Sequence, residues 1–195
     1  MAASRALLSD LLAAYWRVSS QSLLMQPELE FECRICGEPH RGLPAWHFQA
    51  PIQALAIPRH ERARRVELTE DDCVIDEREF YLKGLLELPL RGPADQFVWG
   101  IWLSVSAESY ARFADLFANV SRGVGEQFFG WVCTEIPGYP NTQLLKATLH
   151  VREYPVRPRV ELEPTDHPLA IDQRDGLAPL RAIEMAERLL HPPVA

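Results

Sequence analysis

Two cysteines separated by two residues form the clearest chemical motif in the sequence. Cys33 and Cys36 lie in the stretch "FECRICGEPHRGLP", residues 31–44, where Gly37 follows the second cysteine and His40 comes three residues later. A C-x-x-C turn presents two thiolates from one tight loop, and a glycine directly after it lets the backbone amides face the sulfurs. The motif therefore predicts a zinc-binding turn with Cys33 and Cys36 as ligands, and His40 is close enough to be a third.

The fourth ligand has to come from farther along the chain. Cys73, in "EDDCVIDE", is the best candidate because thiolate is the commonest ligand of structural zinc and because the residue precedes a predicted strand. The alternative is that Cys33 and Cys36 are a free or redox pair and that Cys73 is a small buried apolar side chain. A redox C-x-x-C normally lies in a βαβ context, which is missing here. We expect one Zn²⁺ bound by Cys33, Cys36, His40 and Cys73.

The motif indicates a structural rather than a catalytic metal. A catalytic zinc keeps one coordination position open and has a general base nearby. The sequence contains no H-E-x-x-H, and no H-x-E paired with P-C-x-x-C as in the zinc deaminases. We therefore assign no catalytic residues.

A second polar segment, "ELEPTDHPLAIDQRDG" at residues 161–176, is the other candidate site. Such polar density on a loop can mark a binding site, and His167 beside Asp166 has the chemistry of an acid–base residue. The alternative, which we favour, is a loop whose side chains cap turns and the final helix. A metal-dependent or acid–base hydrolase using residues 163–175 is accordingly our second hypothesis for the function.

The stretch "RHERARR" places four arginines within residues 59–65. It predicts either a site for an anion or an acidic partner, or a solvated charged turn whose arginines pair with Glu67, Glu70 and Asp71. We favour the charged turn.

Composition narrows the class of protein. The 195 residues carry a formal net charge of −7, which argues against nucleic acid as a partner because phosphate binding needs a basic surface. No stretch reaches the roughly 18 apolar residues that span a bilayer, so we expect no membrane association. The first residues lack the pattern of a secretory leader, which predicts a cytoplasmic protein with reduced cysteines.

The elements that position these residues can be predicted from periodicity. Apolar residues at helical spacing predict an N-terminal amphipathic helix over residues 4–25, ended by Pro27, so we divide the chain into a helical extension, 1–30, and one domain, 31–195. Helices are also predicted over residues 106–120 and 179–190. Strands are predicted over 78–90 and 96–106 as one hairpin, over 126–136 and 143–154 as another, and over 157–164 as an edge strand. This order predicts an α+β fold, an antiparallel sheet with packed helices.

Several of these segments resemble a family of small uncharacterised bacterial proteins. The matching pieces are "CRICGEPHRGLP", "DDCVID", "FVWGIWLSVSAESYARF", "PGYPNTQLLKATLHVR", "ELEPTDHPLAIDQRDG" and the terminal "LLH". The resemblance supports grouping Cys33, Cys36 and His40 with Cys73, leaves Cys133 out of the metal set and draws attention to His167. It implies no activity.

Together these observations predict a small bacterial protein with a structural Zn²⁺ that acts as a binding or interaction module, of the kind found among immunity or regulatory proteins. Its expected partners are proteins. The N-terminal helix predicts either a surface that binds a second copy of the chain or a helix packed on the core of the domain, and we favour the packed helix.

Overall fold

The computed structural model describes residues 29–93, 95–118, 124–153 and 155–192. The predicted helix over residues 4–25 lies outside them, and the domain division at residue 30 stays a prediction. The strands are β1 Glu30–Glu32, β2 Pro39–Arg41, β3 Trp46–His47, β4 Val66–Leu68, β5 Asp72–Ile75, β6 Glu79–Pro89, β7 Gln96–Val105, β8 Gln127–Val132, β9 Lys146–His150 and β10 Arg159–Leu162. The helices are α1 Ile52–Ala56, α2 Arg59–Arg65, α3 Ala107–Ala118, α4 Pro168–Asp175 and α5 Pro179–Leu190.

Most of the described chain forms one sheet that closes on itself. Eight strands pair in the order β3-β7-β8-β9-β10-β6-β5-β4, and β7 also pairs with β6. Strands β6 to β10 therefore form a closed five-stranded barrel, and the helices of the described ranges are short, none exceeding 12 residues. The predicted α+β class, an antiparallel sheet with packed helices, is wrong, because most of the described chain is a sheet that closes into a barrel.

The strand that closes the barrel is β10. It pairs antiparallel with β9 and parallel with β6, with Val160 opposite both Leu149 and Leu86. We expected an edge strand because prolines surround this segment, but Pro158 and Pro164 lie just outside β10 and leave its own N–H groups free to pair. Gly84 of β6 permits the close approach, since a Cβ at this position would lie 2.6 Å from Val160 Cγ2.

Two apolar clusters lie on opposite faces of the β6–β7 hairpin, which pairs antiparallel from Phe80 to Pro89 as the sequence predicts. The residues that fill the barrel are fully buried Leu82, Leu86, Leu88, Phe97, Trp99, Ile101 and Leu103. On the outer face a second cluster contains Ala54, Cys73, Tyr81, Trp102 and Cys133. Because both faces are covered, β7 has no polar face, which explains why its sequence is apolar from Phe97 to Leu103.

Two of the predicted helices are confirmed. α3 begins at Ala107, directly after Ser106, whose hydroxyl accepts a hydrogen bond from the Ser109 N–H at 3.1 Å. α5 has the predicted bounds, with Pro179 in its first turn. No helix in the described ranges is both long and apolar enough to cross a membrane.

Candidate metal centre

The C-x-x-C turn connects the two strands of a small separate hairpin. β1 and β2 pair antiparallel with Phe31 opposite His40, and the turn between them is closed by the Cys33 N–H, which donates to Glu38 O at 3.0 Å. Gly37 has a φ of +74°, a conformation that favours glycine, and its N–H donates to Cys33 O at 2.8 Å. The hairpin thus places both thiols beside the His40 imidazole.

Four metal-binding side chains meet at this turn. One ligand atom from each of Cys33, Cys36, His40 and His191 lies within 4.8 Å of all the others. The Cys36 Sγ and His40 Nε2 atoms are 3.4 Å apart. Zinc–sulfur and zinc–nitrogen bonds at a tetrahedral angle would separate such a pair by about 3.6 Å. Two thiolates and two imidazoles are a common donor set for structural zinc, so these residues fit that ion.

His191 lies at the end of the C-terminal helix. This residue follows the last residue of α5, and its N–H donates to Glu187 O at 3.0 Å, which continues the helical hydrogen-bond pattern by one residue. The Glu187 carboxylate is buried and accepts from the Arg34 backbone N–H at 2.7 Å and from its guanidinium at 2.8 Å. Because Arg34 lies inside the turn, this contact holds the end of α5 against the two cysteines.

The imidazole rings of His40 and His191 contact each other at the turn. His40 stacks on Phe31 with ring centroids 5.5 Å apart and meets His191 edge to face at 5.8 Å. Within the described residues, His191 Nε2 is buried without a hydrogen-bond partner. A buried imidazole nitrogen normally has a partner, so an unpaired one beside two thiols could hold a cation.

The turn also favours the thiolate form of Cys33. Burial by itself raises the pKa of this thiol, but hydrogen bonds from the backbone of Cys36 and Ile35 and from the Cys36 side chain outweigh it, so that its pKa lies below the ordinary value. Backbone amides that face the sulfur are the expected consequence of a C-x-x-C turn followed by glycine.

Cys73 is not a member of this group. It lies on β5, is fully buried in the outer apolar cluster, and pairs in register with Tyr81 and Leu68. Burial, with a smaller contribution from the neighbouring carboxylates Asp72 and Glu79, raises the pKa of its thiol to about 12, which opposes thiolate formation. The position that we assigned to Cys73 is taken by His191, and Cys73 fits the alternative of a small buried apolar side chain.

His167 serves as a helix cap. Its Nδ1 accepts the Leu169 N–H at 3.1 Å at the start of α4, so part of the segment predicted as a loop is helical. Asp172 in the same segment is buried and accepts from Tyr139 Oη at 2.9 Å and from Arg181 at 2.6 Å. The described contacts therefore give both residues structural roles and pair no carboxylate with His167.

The arginine-rich stretch forms α2. Arg65 pairs with Asp76 at 2.6 Å and with Glu61 at 2.8 Å, and Arg62 donates to Ile57 O at 2.7 Å. Arg65 therefore has acidic partners, although not the ones that we expected, whereas Arg62 binds a backbone carbonyl.

His191 is the ligand candidate that sequence reasoning missed. It is 151 positions from His40, and no spacing rule connects residues so far apart. The signal present in the sequence was the terminal "LLH", in which a histidine directly follows the apolar stripe of the last helix.

A family model covers most of the chain. The model described as "Uncharacterized protein conserved in bacteria (DUF2199)" matches residues 32–177, a range that includes Cys33, Cys36, His40 and Cys73 and ends before His191. Neither the curated proteins nor the solved structures contain a match. Because the matched range is well over half of the sequence, the chain belongs to the DUF2199 family of uncharacterized bacterial proteins.

Proposed function

We propose that Cys33, Cys36, His40 and His191 bind one structural Zn²⁺ that fastens the C-terminal helix to the N-terminal hairpin. The observation that carries the proposal is the convergence of four donor atoms within 4.8 Å of one another from two distant parts of the chain. Zinc prefers such sulfur and nitrogen donors in a tetrahedral arrangement.

Four protein ligands make the site structural. A catalytic zinc needs a coordination position for water or substrate, and a complete tetrahedron of side chains leaves none. A cation here joins residues 33–40 to residue 191, and closing so long a loop restricts the unfolded chain strongly. The role of the ion is therefore to stabilise the fold.

We further propose that the protein acts as an interaction module that pairs with a second copy of itself through residues 4–25. The support is the sequence itself, in which Leu8, Leu12, Tyr15 and Trp16 recur at helical spacing. Sedimentation of the full-length protein should give a dimer, and a Leu8→Glu/Leu12→Glu double variant should give a monomer. A monomeric full-length protein would contradict this part of the proposal.

Elemental analysis of the purified full-length protein tests the zinc site. We expect about one zinc per chain, lost in Cys36→Ser, His40→Ala and His191→Ala. Cys73→Ser is the matched control, since this cysteine is buried elsewhere, and it should retain the ion. Circular dichroism identifies any variant that fails to fold.

The site as assigned would be wrong if His191→Ala kept its zinc while Cys73→Ser lost it. A wild-type protein that takes up no zinc when refolded with excess metal would overturn the proposal altogether.

A further inference from the structure

The four cysteines of the chain differ in their access to solvent. Cys73 and Cys133 are 0% and 1% exposed and lie in the outer apolar cluster. Cys36 is exposed in the hairpin turn, whereas Cys33 of the same turn is 1% exposed. All four are free thiols in the structure. A small reagent dissolved in water therefore meets the Cys36 sulfur first.

The turn holds the sulfurs of Cys33 and Cys36 close enough to react with each other. The Gly37 N–H donates to Cys33 O at 2.8 Å, so residues 33–37 form one helical turn, in which residues three apart are neighbours. The two Sγ atoms lie within 4.8 Å of each other. A disulfide requires about 2.05 Å, and C-x-x-C is a spacing at which proteins form this bond. Rotation of the exposed Cys36 side chain can therefore bring the two sulfurs together.

The residues around Cys36 leave it accessible. A Cβ built on Gly37 would meet no atom within 4 Å, so the space on that side of the turn is open. Of the two residues between the cysteines, Arg34 extends to Glu187 of α5 and Ile35 is 55% exposed. An oxidant can thus reach the Cys36 sulfur without any opening of the fold.

We propose that Cys33 and Cys36 form a peroxide-sensitive modification site, at which oxidation to a disulfide expels the bound Zn²⁺. The Cys36 sulfur attacks one oxygen of hydrogen peroxide, the O–O bond breaks, and Cys36 becomes a sulfenic acid as the first water leaves. The Cys33 sulfur then attacks the Cys36 sulfur, the S–O bond breaks, and a second water leaves. The two sulfurs lose two electrons in total, and hydrogen peroxide, the only oxidant, gains them.

Release of the ion follows from the donor set. A disulfide carries no negative charge and is a poor ligand, so only the imidazoles of His40 and His191 remain for the metal. Two protons from the solvent complete the two waters and balance the charge of the departing Zn²⁺. The release step rests on the zinc site proposed above, whereas formation of the disulfide requires only the two sulfurs.

Oxidation changes how the end of α5 is held. Without the ion, His191 is no longer bonded to the turn, while the contact between Arg34 and Glu187 contains no oxidisable atom and stays in place. Exchange with a small thiol reduces the disulfide and restores both ligands. The modification is therefore reversible and acts on the metal site without breaking the hairpin.

The test treats purified full-length protein with one equivalent of hydrogen peroxide, blocks the remaining thiols with N-ethylmaleimide and maps them by peptide mass spectrometry. A chromogenic chelator measures free zinc in the same sample. We expect a Cys33–Cys36 disulfide and zinc release in step with it, both reversed by dithiothreitol and added zinc. Cys73 and Cys133 are the internal controls, and because both are buried they should react at least about tenfold more slowly.

Two variants test which sulfur reacts first. In Cys33→Ser the Cys36 sulfenic acid has no partner and should be trapped by dimedone. In Cys36→Ser the buried Cys33 should give roughly tenfold less of this adduct. Equal trapping in the two variants would overturn the assigned order, and circular dichroism identifies a variant that does not fold. The disulfide and the zinc release are measured in the wild-type chain, so they do not depend on these variants.

The outcomes separate this inference from the zinc proposal. A Cys33–Cys36 disulfide in a protein that never held zinc would support the modification site and refute the zinc site. Zinc that stays bound while both cysteines remain reduced would overturn the inference and leave the zinc site intact. Faster oxidation of Cys73 or Cys133 would also overturn it.

Discussion

Arg34 and Glu187 join the two ends of the described structure. Arg34 lies between the cysteines of the turn and Glu187 lies one helical turn before His191, and the two meet through the backbone N–H and the guanidinium of Arg34. Arg34 holds the pKa of the Glu187 carboxyl below its ordinary value, through these hydrogen bonds. This contact positions His191, the proposed fourth ligand, beside the turn.

Glu187→Gln should weaken zinc binding without removing a ligand. The amide loses the charge that holds Arg34, so His191 is less well positioned against the cysteines. We expect zinc affinity, measured by chelator competition, to fall about tenfold. Glu184→Gln is the control, because Glu184 is on the same helix and 3.5 Å from Arg34 but is about half exposed. An equal loss in both variants would contradict a positioning role for Glu187.

Removal of the metal should loosen α5 and spare the barrel. Without zinc, His191 loses its bond to the turn, and the last turn of the helix becomes easier to open. Hydrogen exchange after treatment with a chelator should therefore accelerate in residues 186–191 and stay slow in β6 and β7. His191→Ala should show the faster exchange from the start and no response to chelator. Uniform acceleration throughout the chain would indicate that the ion has a global role.

Gly84→Ala should destabilise the closure of the barrel. The added Cβ would lie 2.6 Å from Val160 Cγ2 and 2.7 Å from Leu149 Cδ1, inside a packed core. Such overpacking typically lowers the free energy of unfolding by about 2 kcal/mol, measurable by urea denaturation. Val160→Ala in the same chain removes one of the clashing groups and should recover part of the loss. An additive double variant would show that Gly84 and Val160 do not press on each other.

Asp172→Ala should strongly destabilise the protein. The carboxylate is 4% exposed and is shared by Tyr139 and Arg181, so its loss removes the acceptor of the Tyr139 hydroxyl and the carboxylate that pairs with Arg181. We expect a loss of about 3 kcal/mol in the free energy of unfolding. Asp175→Ala is the control, since that exposed carboxylate pairs only with neighbouring Arg174 in the described contacts, and its effect should stay below about 1 kcal/mol.

Lys83→Met should stabilise the protein at neutral pH. Since the folded pKa of Lys83 lies below its unfolded value of 10.5, the unfolded chain binds the proton more readily, and the charged lysine weakens the fold below that folded pKa. This disadvantage disappears as the pH rises towards 10.5. The variant should therefore gain roughly 1 kcal/mol at pH 7 and progressively less at higher pH. Lys146→Met should change stability little at any pH, and a destabilised Lys83→Met would show that the lysine stabilises the fold.

Local patterns determined what could be predicted. Apolar residues at a period of 3.6 specified α3 and α5, apolar strands bounded by turn residues specified the β6–β7 hairpin, and the C-x-x-C-G spacing specified the turn with Cys33, Cys36 and His40. In each case the deciding interactions connect residues close in the sequence. For Cys73 the sequence leaves two roles open, because a single cysteine on a strand is compatible with a metal ligand or with a buried apolar side chain.

Tertiary structure decided the remainder. Whether β10 is an edge strand or closes a barrel depends on whether Val160 can approach Gly84, which is 76 positions away. The periodicity of a short segment cannot predict such a contact. The meeting of His191 with the cysteines depends in the same way on the path of the chain between residues 41 and 178. The alternation of apolar and polar residues in β6 predicts that Lys83 faces solvent. It is buried only because other segments of the chain pack on the outer face of the sheet. These outcomes follow from packing between distant segments, which a sequence constrains only as a whole.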